Sequence, residues 1–195
     1  MSDAPVRIFA FDPCVARDAS TALAGAGVTL RSRRIEAMWN VRGDPADENL
    51  MSEAARVLGV ALPRQPNTSA SAERVRALWL GPDEWLIVSD ASIAPTRTPG
   101  VTLTFTDVSH GRAAVRLSGP RVRDALAKGC ALDLDPRYFA VGACAQTAIA
   151  RINIVLDHVA ADVFDLYCPR SYAGSLWHWL NEAAAEYACN VLPAA

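Results

Sequence analysis

The sequence has 195 residues, a length that fits one domain, or one domain with an extension. Its net charge of −2 and the lack of any basic tract argue against nucleic acid as a partner. Asp3 and Asp12 interrupt the N-terminus and no apolar run approaches a membrane span, so we expect a cytoplasmic chain without signal peptide or membrane segment.

The cysteines and histidines follow neither a disulfide pattern nor a metal-binding pattern. The five cysteines are odd in number and contain no CxxC pair, which favours reduced thiols that fill apolar positions. His110, His158 and His178 lack the spacing of metal ligands. No metal site is therefore predicted.

The first 30 residues are rich in alanine and only weakly patterned. They are predicted to form an N-terminal extension, with a short helix within residues 13–24, ahead of a single domain at residues 31–195. Gly25-Ala26-Gly27 resembles part of a dinucleotide-binding loop, but the third glycine of that fingerprint would fall at Leu30. No strand clearly precedes the motif either, so a loop is the preferred interpretation.

Regular structure is predicted to start at Arg33. Over residues 33–42 apolar and polar residues alternate, which is the period of a half-buried strand. Asp44 is expected to cap a helix over residues 45–58, because its carboxylate can accept bonds from free N–H groups of the first turn. Gly59 is expected to end this helix.

A hairpin is predicted next. A loop rich in proline and small polar residues covers residues 62–71. Residues 74–80 and 85–89 have strand character and flank Gly81-Pro82-Asp83-Glu84, a connection typical of a β-hairpin. A further strand is predicted over residues 101–108.

A second series of elements begins after a tight turn at His110-Gly111. Residues 112–118 alternate between apolar and polar side chains, which indicates another half-buried strand. Ser118-Gly119-Pro120 then introduces a helix over residues 120–128, with proline at a first-turn position where its missing N–H costs nothing. Gly129 is expected to end the helix in a left-handed conformation.

The C-terminal part is predicted to contain a second hairpin and a long helix. A strand at residues 147–156, a turn at 157–162 and a returning strand at 163–168 form the hairpin. The last helix is predicted over residues 171–188. Its core stripe comprises Ala173, Leu176, Leu180, Ala183, Ala184 and Tyr187.

These elements repeat along the chain. One unit consists of strand 33–42, helix 45–58 and hairpin 74–89, and the second of strand 112–118, helix 120–128 and hairpin 147–168. Two strand–helix–hairpin units predict an α+β fold, with mixed or antiparallel sheets and helices packed against them.

Three polar groups are candidates for catalysis. Ser109-His110 suggests a nucleophile and its base, but adjacent residues on an extended segment point to opposite faces, which favours a turn pair. Asp83-Glu84 suggests a carboxylate pair for acid–base chemistry, but its place at a hairpin tip favours a turn cap. His178 is expected on the solvent face of the last helix. No catalytic residue is therefore assigned.

Two tryptophans of the last helix are candidates for a subunit interface. On a helical wheel, Trp177 and Trp179 fall near opposite margins of the core stripe. Both rings fit burial by this chain alone, and large aromatic residues at stripe margins are also typical of interfaces. We predict that at least one of them packs against a partner subunit.

Several segments of the chain resemble the gamma subunit of heterotetrameric sarcosine oxidase. They are Trp39-Asn-Val-Arg-Gly-Asp44, Leu62-Pro63 with Pro66-Asn-Thr68, Trp79-Leu-Gly-Pro-Asp-Glu-Trp-Leu86, Asp107-Val-Ser-His-Gly-Arg112, Leu117-Ser-Gly-Pro120, Cys130-Ala-Leu-Asp-Leu-Asp135 and Arg170-Ser-Tyr-Ala-Gly-Ser-Leu-Trp-His-Trp-Leu180. Together they run from about residue 30 to residue 188. The tryptophan-rich hairpin and the last helix are the specific parts of this resemblance.

The resemblance implies a fold related to the folate-binding domain of the glycine-cleavage aminomethyltransferase. It also implies alpha, beta and delta partner subunits, in a complex that demethylates sarcosine oxidatively to glycine. Such a complex uses FAD and FMN, binds NAD, passes the one-carbon unit to tetrahydrofolate and reduces oxygen to hydrogen peroxide. The resemblance places the flavins, NAD and the functional folate site on alpha and beta, so no cofactor is expected on this chain.

Two alternative functions stay open on the sequence alone. The first is the corresponding subunit of a related N-methyl amino-acid dehydrogenase or demethylase, since this chain does not name the substrate. The second is a free-standing folate-binding one-carbon protein or transferase, which the implied fold suggests.

Overall fold

The computed structural model describes residues 8–19, 24–96 and 98–194, and shows two β-sheets packed face to face between helical layers. In this part of the chain the α-helices are α1 (Asp12–Asp18), α2 (Glu48–Leu58), α3 (Val122–Ala127) and α4 (Ala173–Ala184). The strands are β1 (Val28–Arg33), β2 (Ala37–Arg42), β3 (Ser69–Ala72), β4 (Val75–Gly81), β5 (Glu84–Ser89), β6 (Thr104–Asp107), β7 (Arg112–Ser118), β8 (Cys144–Ile149), β9 (Ile152–Ala160), β10 (Val163–Pro169) and β11 (Cys189–Leu192). The expected α+β class is confirmed.

Five strands of the six-stranded sheet follow the same order as the five-stranded sheet, and β11 is added at the edge. The six-stranded sheet runs β11-β1-β7-β10-β9-β8, and the five-stranded sheet runs β3-β4-β5-β2-β6. In each sheet a three-stranded meander, β8-β9-β10 or β3-β4-β5, lies beside the first long strand of its unit, β7 or β2. Neighbouring strands are antiparallel except β1 and β11, which are parallel. The predicted repeat is therefore present as two similar sheets.

The strand that precedes each unit joins the sheet of the other unit. β1 precedes β2 in the chain but pairs with β7 in the six-stranded sheet, and β6 precedes β7 but pairs with β2 in the five-stranded sheet. Each sheet is therefore completed by a strand from the other half of the chain. Neither unit can form its whole sheet alone, which joins the two halves in one fold.

Three apolar layers hold the structure together. One lies between the six-stranded sheet and α1, α3 and α4, and contains Phe164 and Leu176. A second lies between the five-stranded sheet and α2, and contains Leu58 and Trp85. The third lies between the two sheets, with Val155 from the six-stranded sheet. Both faces of both sheets are thus used, which explains the long apolar runs in the central strands.

The predicted strand over residues 33–42 is wrong as a single element. The structure has β1 and β2 instead, separated by residues 34–36, because the chain changes sheet at this point. Ile35 in the link is buried between the sheets, so the apolar alternation continues through the break. The proposed domain boundary at residue 31 lies inside β1, and Val28 and Leu30 are fully buried. The division of the chain there stays a prediction.

The cap of α2 also differs from the prediction. Asp47, not Asp44, caps the helix, and its carboxylate accepts bonds from the N–H groups of Asn49 and Leu50 at 3.0 and 3.1 Å. Asp44 accepts a bond from the N–H of Ala46 and shapes the turn before the helix. Two aspartates in one turn fit the same pattern, so the sequence could not separate them. Gly59 ends the helix with φ 73°, as predicted.

The predicted strand over residues 147–156 is also two strands. Ala150 and Arg151 have φ values of 49° and 70° and form a two-residue turn between β8 and β9. This left-handed geometry matches the twist of a hairpin but usually requires glycine or asparagine, so the turn left no sequence signal. β9 then continues to Ala160, through most of the predicted turn at residues 157–162.

The role of Gly129 was predicted incorrectly. Its φ is not positive, so it does not end α3 in a left-handed conformation. A Cβ atom at this position would lie 2.4 Å from the ring of Trp179 in α4. The glycine is needed because two helices approach closely, which only the tertiary structure shows.

Candidate functional site

One residue of each polar pair predicted from the sequence forms structural hydrogen bonds. The Oγ atom of buried Ser109 lies 2.9 Å from the backbone nitrogen of Met38, which donates to it, while His110 is exposed. Glu84 accepts bonds from Asn40 and Arg42, at 2.6 and 2.7 Å. These hydrogen bonds join neighbouring strands. They bring no nucleophile and base within hydrogen-bond distance of each other.

The other predicted residues lie on α4. His178 is exposed, with Nε2 3.3 Å from a carboxylate oxygen of Glu182. Trp177 has no exposed surface, and its Nε1 donates to the Asp18 carboxylate at 2.8 Å. Trp179 is partly exposed and packs against the core beside Gly129. The interface prediction therefore depends on Trp179.

An intersheet ionic cluster lies between the two sheets. Its members are Arg33, Arg76, Asp90, Arg116, Asp157 and Asp165. Asp157 on β9 and Asp165 on β10 are register partners, and both are fully buried. Two neighbouring buried carboxylates would be strongly unfavourable alone, so each requires a cation close by.

Arginines supply that compensation. Arg76 donates from two nitrogens to the two oxygens of Asp157, at 2.7 Å each. Arg116 binds Asp165 in the same two-pronged way, at 2.7 and 2.8 Å. Arg33 bridges Asp165 to Asp90. Because Arg76 belongs to the five-stranded sheet and Asp157 to the other, this pair joins the sheets.

Burial changes the pKa values of two groups between the sheets. Burial raises the pKa of Asp157, and the ion pair with Arg76 opposes that shift. Burial and then the carboxylates of Asp165 and Asp157 raise the pKa of Tyr167 well above its usual value. The Tyr167 hydroxyl has no hydrogen-bond partner among the described residues. The oxygens of both carboxylates are occupied by arginine hydrogen bonds, and the phenol of Tyr167 stays protonated near neutral pH.

An arginine cleft opens above the cluster, with a volume of about 440 Å³. Its charged lining comprises Arg31, Arg33, Arg34, Arg74 and Arg116 with Glu36 and Asp90. An adjoining cleft of about 200 Å³ shares Arg33, Arg74, Asp90 and Arg116. The arrangement suits an anion rather than an apolar ligand.

A second concave surface lies beside the edge strand β8. This groove has a volume of about 550 Å³ and includes Pro66, Tyr138, Phe139 and Val141. Tyr138 and Val141 are 71% and 56% exposed, which is high for large apolar side chains. Apolar residues exposed together are typical of a contact surface for another protein.

No metal site emerges in the described part of the chain, and two buried thiols are protonated. No group of three or more histidine, cysteine, aspartate or glutamate side chains there is arranged to hold a metal ion. Burial raises the pKa of the Cys144 and Cys168 thiols to about 12, which leaves them protonated. None of the described helices is long and apolar enough to cross a membrane.

Comparison with known proteins identifies the family. The model of the sarcosine oxidase, gamma subunit family matches residues 42–186. The chain belongs to this family. The sarcosine oxidase subunit gamma of Corynebacterium sp. strain P-1 is 32% identical over 170 residues, which is 83% of this chain and 82% of the relative. That of strain U-96 is 30% identical over 169 residues, covering 82% and 80%.

Solved structures agree with the assignment of fold. A chain of the heterotetrameric sarcosine oxidase from Corynebacterium sp. U-96 superposes with a TM-score of 0.80 at 24% identity, covering 93% of this chain and 96% of that chain. The glycine cleavage system aminomethyltransferase T of Bartonella henselae matches with a TM-score of 0.62 at 14% identity, covering 86% and 48%. The implied relation to the aminomethyltransferase fold is confirmed.

Sequence reasoning did not identify the intersheet cluster. Asp157 and Asp165 are the charged residues within otherwise apolar strand segments, and that interruption was the available signal. Their partners come from distant strands, with Arg76 separated from Asp157 by 81 residues. No local spacing connects residues so far apart.

Proposed function

We propose that this chain is the non-catalytic gamma subunit of a heterotetrameric sarcosine oxidase. The observation that carries the proposal is the match of the gamma subunit family over residues 42–186. The corresponding reaction is oxidative demethylation of sarcosine to glycine, with the one-carbon unit passed to tetrahydrofolate and hydrogen peroxide formed. FAD, FMN and NAD would reside on the alpha and beta subunits.

The chemistry of the chain supports a role without catalysis. Asp157 and Asp165 are bound by arginines, and the buried thiols of Cys144 and Cys168 stay protonated. Ser109 bonds to the backbone of a neighbouring strand. The cytoplasm and the alpha, beta and delta subunits as partners belong to the same proposal.

Co-expression tests this assignment. The chain should be produced alone and together with alpha, beta and delta subunits of the oxidase, with an affinity tag on alpha. We expect the chain to co-purify in a one-to-one ratio with alpha, and sarcosine-dependent peroxide formation to require the complex. A stable chain that never associates with the tagged subunit would contradict the proposal.

The fold supports a second candidate, a free-standing folate-binding one-carbon protein. The supporting observation is the likeness to the aminomethyltransferase of Bartonella henselae over 86% of this chain. Calorimetry of the isolated chain with tetrahydrofolate separates the candidates. Micromolar binding would favour the second, and no heat at high folate concentration would exclude it.

A further inference from the structure

A row of charged residues crosses four strands of the six-stranded sheet. Arg31 on β1 is the register partner of Arg116 on β7, Arg116 is that of Asp165 on β10, and Asp165 is that of Asp157 on β9. Residues paired in this way point to the same face of a sheet, and here that face turns towards the other sheet. The row contains two cations followed by two anions.

The charges along this row are not equally paired with opposite charges. Asp157 is held by Arg76, and Asp165 is shared by Arg116 and Arg33. The side chain of Arg31 forms no hydrogen bond or ion pair with the residues that the structure describes. Arg31 therefore stands opposite a second arginine in the register, and its side chain has no carboxylate partner of its own.

Like charges placed directly opposite each other on neighbouring strands destabilise a sheet. Across this register the Cβ atoms of Arg31 and Arg116 lie about 5 Å apart. A bound anion between the two guanidiniums would turn this repulsion into attraction. The planar fork of Arg31 matches the oxygens of a phosphate or a carboxylate, and Arg116 keeps three N–H groups beside the two that bind Asp165, so such an anion would be held by several bonds.

The surroundings fit a small anion with more than one charged oxygen. Both residues line the arginine cleft of about 440 Å³, where Arg34 and Arg74 add two further guanidiniums. Arg74 gives one bond to the backbone oxygen of Asp90, and Arg34 lies 3.7 Å from the Asp12 carboxylate. Both keep donors for a ligand, since each guanidinium has five N–H groups.

We propose that the arginine cleft is a binding site for a small dianion of the phosphate or dicarboxylate class, held between Arg31 and Arg116. This site lies apart from Trp179 on α4, the residue that is predicted to contact a partner subunit. It does not depend on the proposed function, because it is argued from the charges of this chain alone.

The test compares melting temperatures of the full chain in chloride, inorganic phosphate and succinate at pH 7 and constant ionic strength. Phosphate and succinate represent the two sources of the same chemistry, and the larger shift identifies the preferred one. Wild type and Arg31→Gln are compared, with Arg56→Gln as the matched control. Arg56 lies on α2, is exposed and pairs with Glu53, outside the cleft.

For the wild type and the control we expect phosphate or succinate to raise the melting temperature, with saturable binding. Arg31→Gln should bind at least tenfold more weakly. In chloride it should melt at a higher temperature than the wild type, because one of the two facing charges is gone. Arg31→Lys keeps the charge but loses the fork, so it should bind with intermediate affinity.

Three results would overturn the proposal. The first is the absence of any shift of the wild type in either anion. The second is an equal shift in Arg31→Gln, which would mean that the anion binds elsewhere. The third is a lower melting temperature of Arg31→Gln in chloride, which would show that Arg31 already stabilises the unliganded fold.

Discussion

At the scale of single residues, Gly129 shows how one missing side chain fixes the contact between two elements. The rings of Trp179 and the backbone of Gly129 are so close that an added Cβ would lie 2.4 Å from the indole. Gly174 within α4 offers a contrast, since an added Cβ there meets nothing within 4 Å. The same substitution therefore has opposite expected effects at the two positions.

Gly129→Ala should lower the free energy of unfolding by about 1–3 kcal/mol, because the tryptophan has to move away. Gly174→Ala should raise it by up to about 1 kcal/mol, because alanine is the better helix former. Urea unfolding of the two variants and the wild type measures both effects. An equal change in the free energy of unfolding in both variants would show that the chain tolerates a Cβ atom between Gly129 and Trp179.

At the scale of elements, the short helix α1 is anchored to α4 by one hydrogen bond and an aromatic contact. Trp177 Nε1 donates to the Asp18 carboxylate, and the Trp177 ring lies 5.5 Å from that of Phe11. The hydrogen bond from Arg17, with a further bond from Trp177, lowers the pKa of Asp18 to about 2. The anchor therefore depends on an ionised carboxylate.

A pH dependence follows from this lowered pKa. A carboxyl group with a depressed pKa in the folded state stabilises that state above its unfolded pKa near 4, and the contribution is lost as pH falls towards about 2. The NMR signal of the Trp177 indole N–H should shift between pH 4 and pH 2. In Asp18→Asn, which still accepts a bond but does not ionise, that shift should be absent. A shift of the same size in the variant would assign the transition to another group.

At the scale of the whole molecule, exchange of β1 and β6 between the sheets makes the two halves interdependent. The buried ionic cluster adds specificity, since Arg76 and Asp157 meet in only one arrangement of the sheets. In the helical layer over the six-stranded sheet, the ring of Trp179 is partly exposed. We predict that this ring packs against a partner subunit.

Trp177→Ala and Trp179→Ala separate core from interface. Trp177 is fully buried, so its truncation should cost about 3–5 kcal/mol and melt the isolated chain at a lower temperature. Trp179→Ala should mainly weaken co-purification with partner subunits, by about 2 kcal/mol or more if the ring is an anchor. Melting curves and pull-down with tagged alpha subunit measure the two effects. Unchanged assembly of Trp179→Ala would make both rings core residues.

The sequence by itself determined the elements whose signals are local. The strand at residues 112–118 was predicted with its observed bounds, because alternation and the flanking turn both lie within a few residues. The β4–β5 hairpin, the end of α2 at Gly59 and the two-unit repeat follow from the same kind of signal.

Only the tertiary structure decided which strands pair and which charges meet. The sheet change at residues 34–36 leaves no break in the apolar alternation, because the link is buried like the strands. Arg33 and Asp165 are 132 residues apart, and their contact depends on the register of β1, β7 and β10. The sequence pattern shows the periodicity of one segment. Strand register and close approach depend on the partner against which that segment packs.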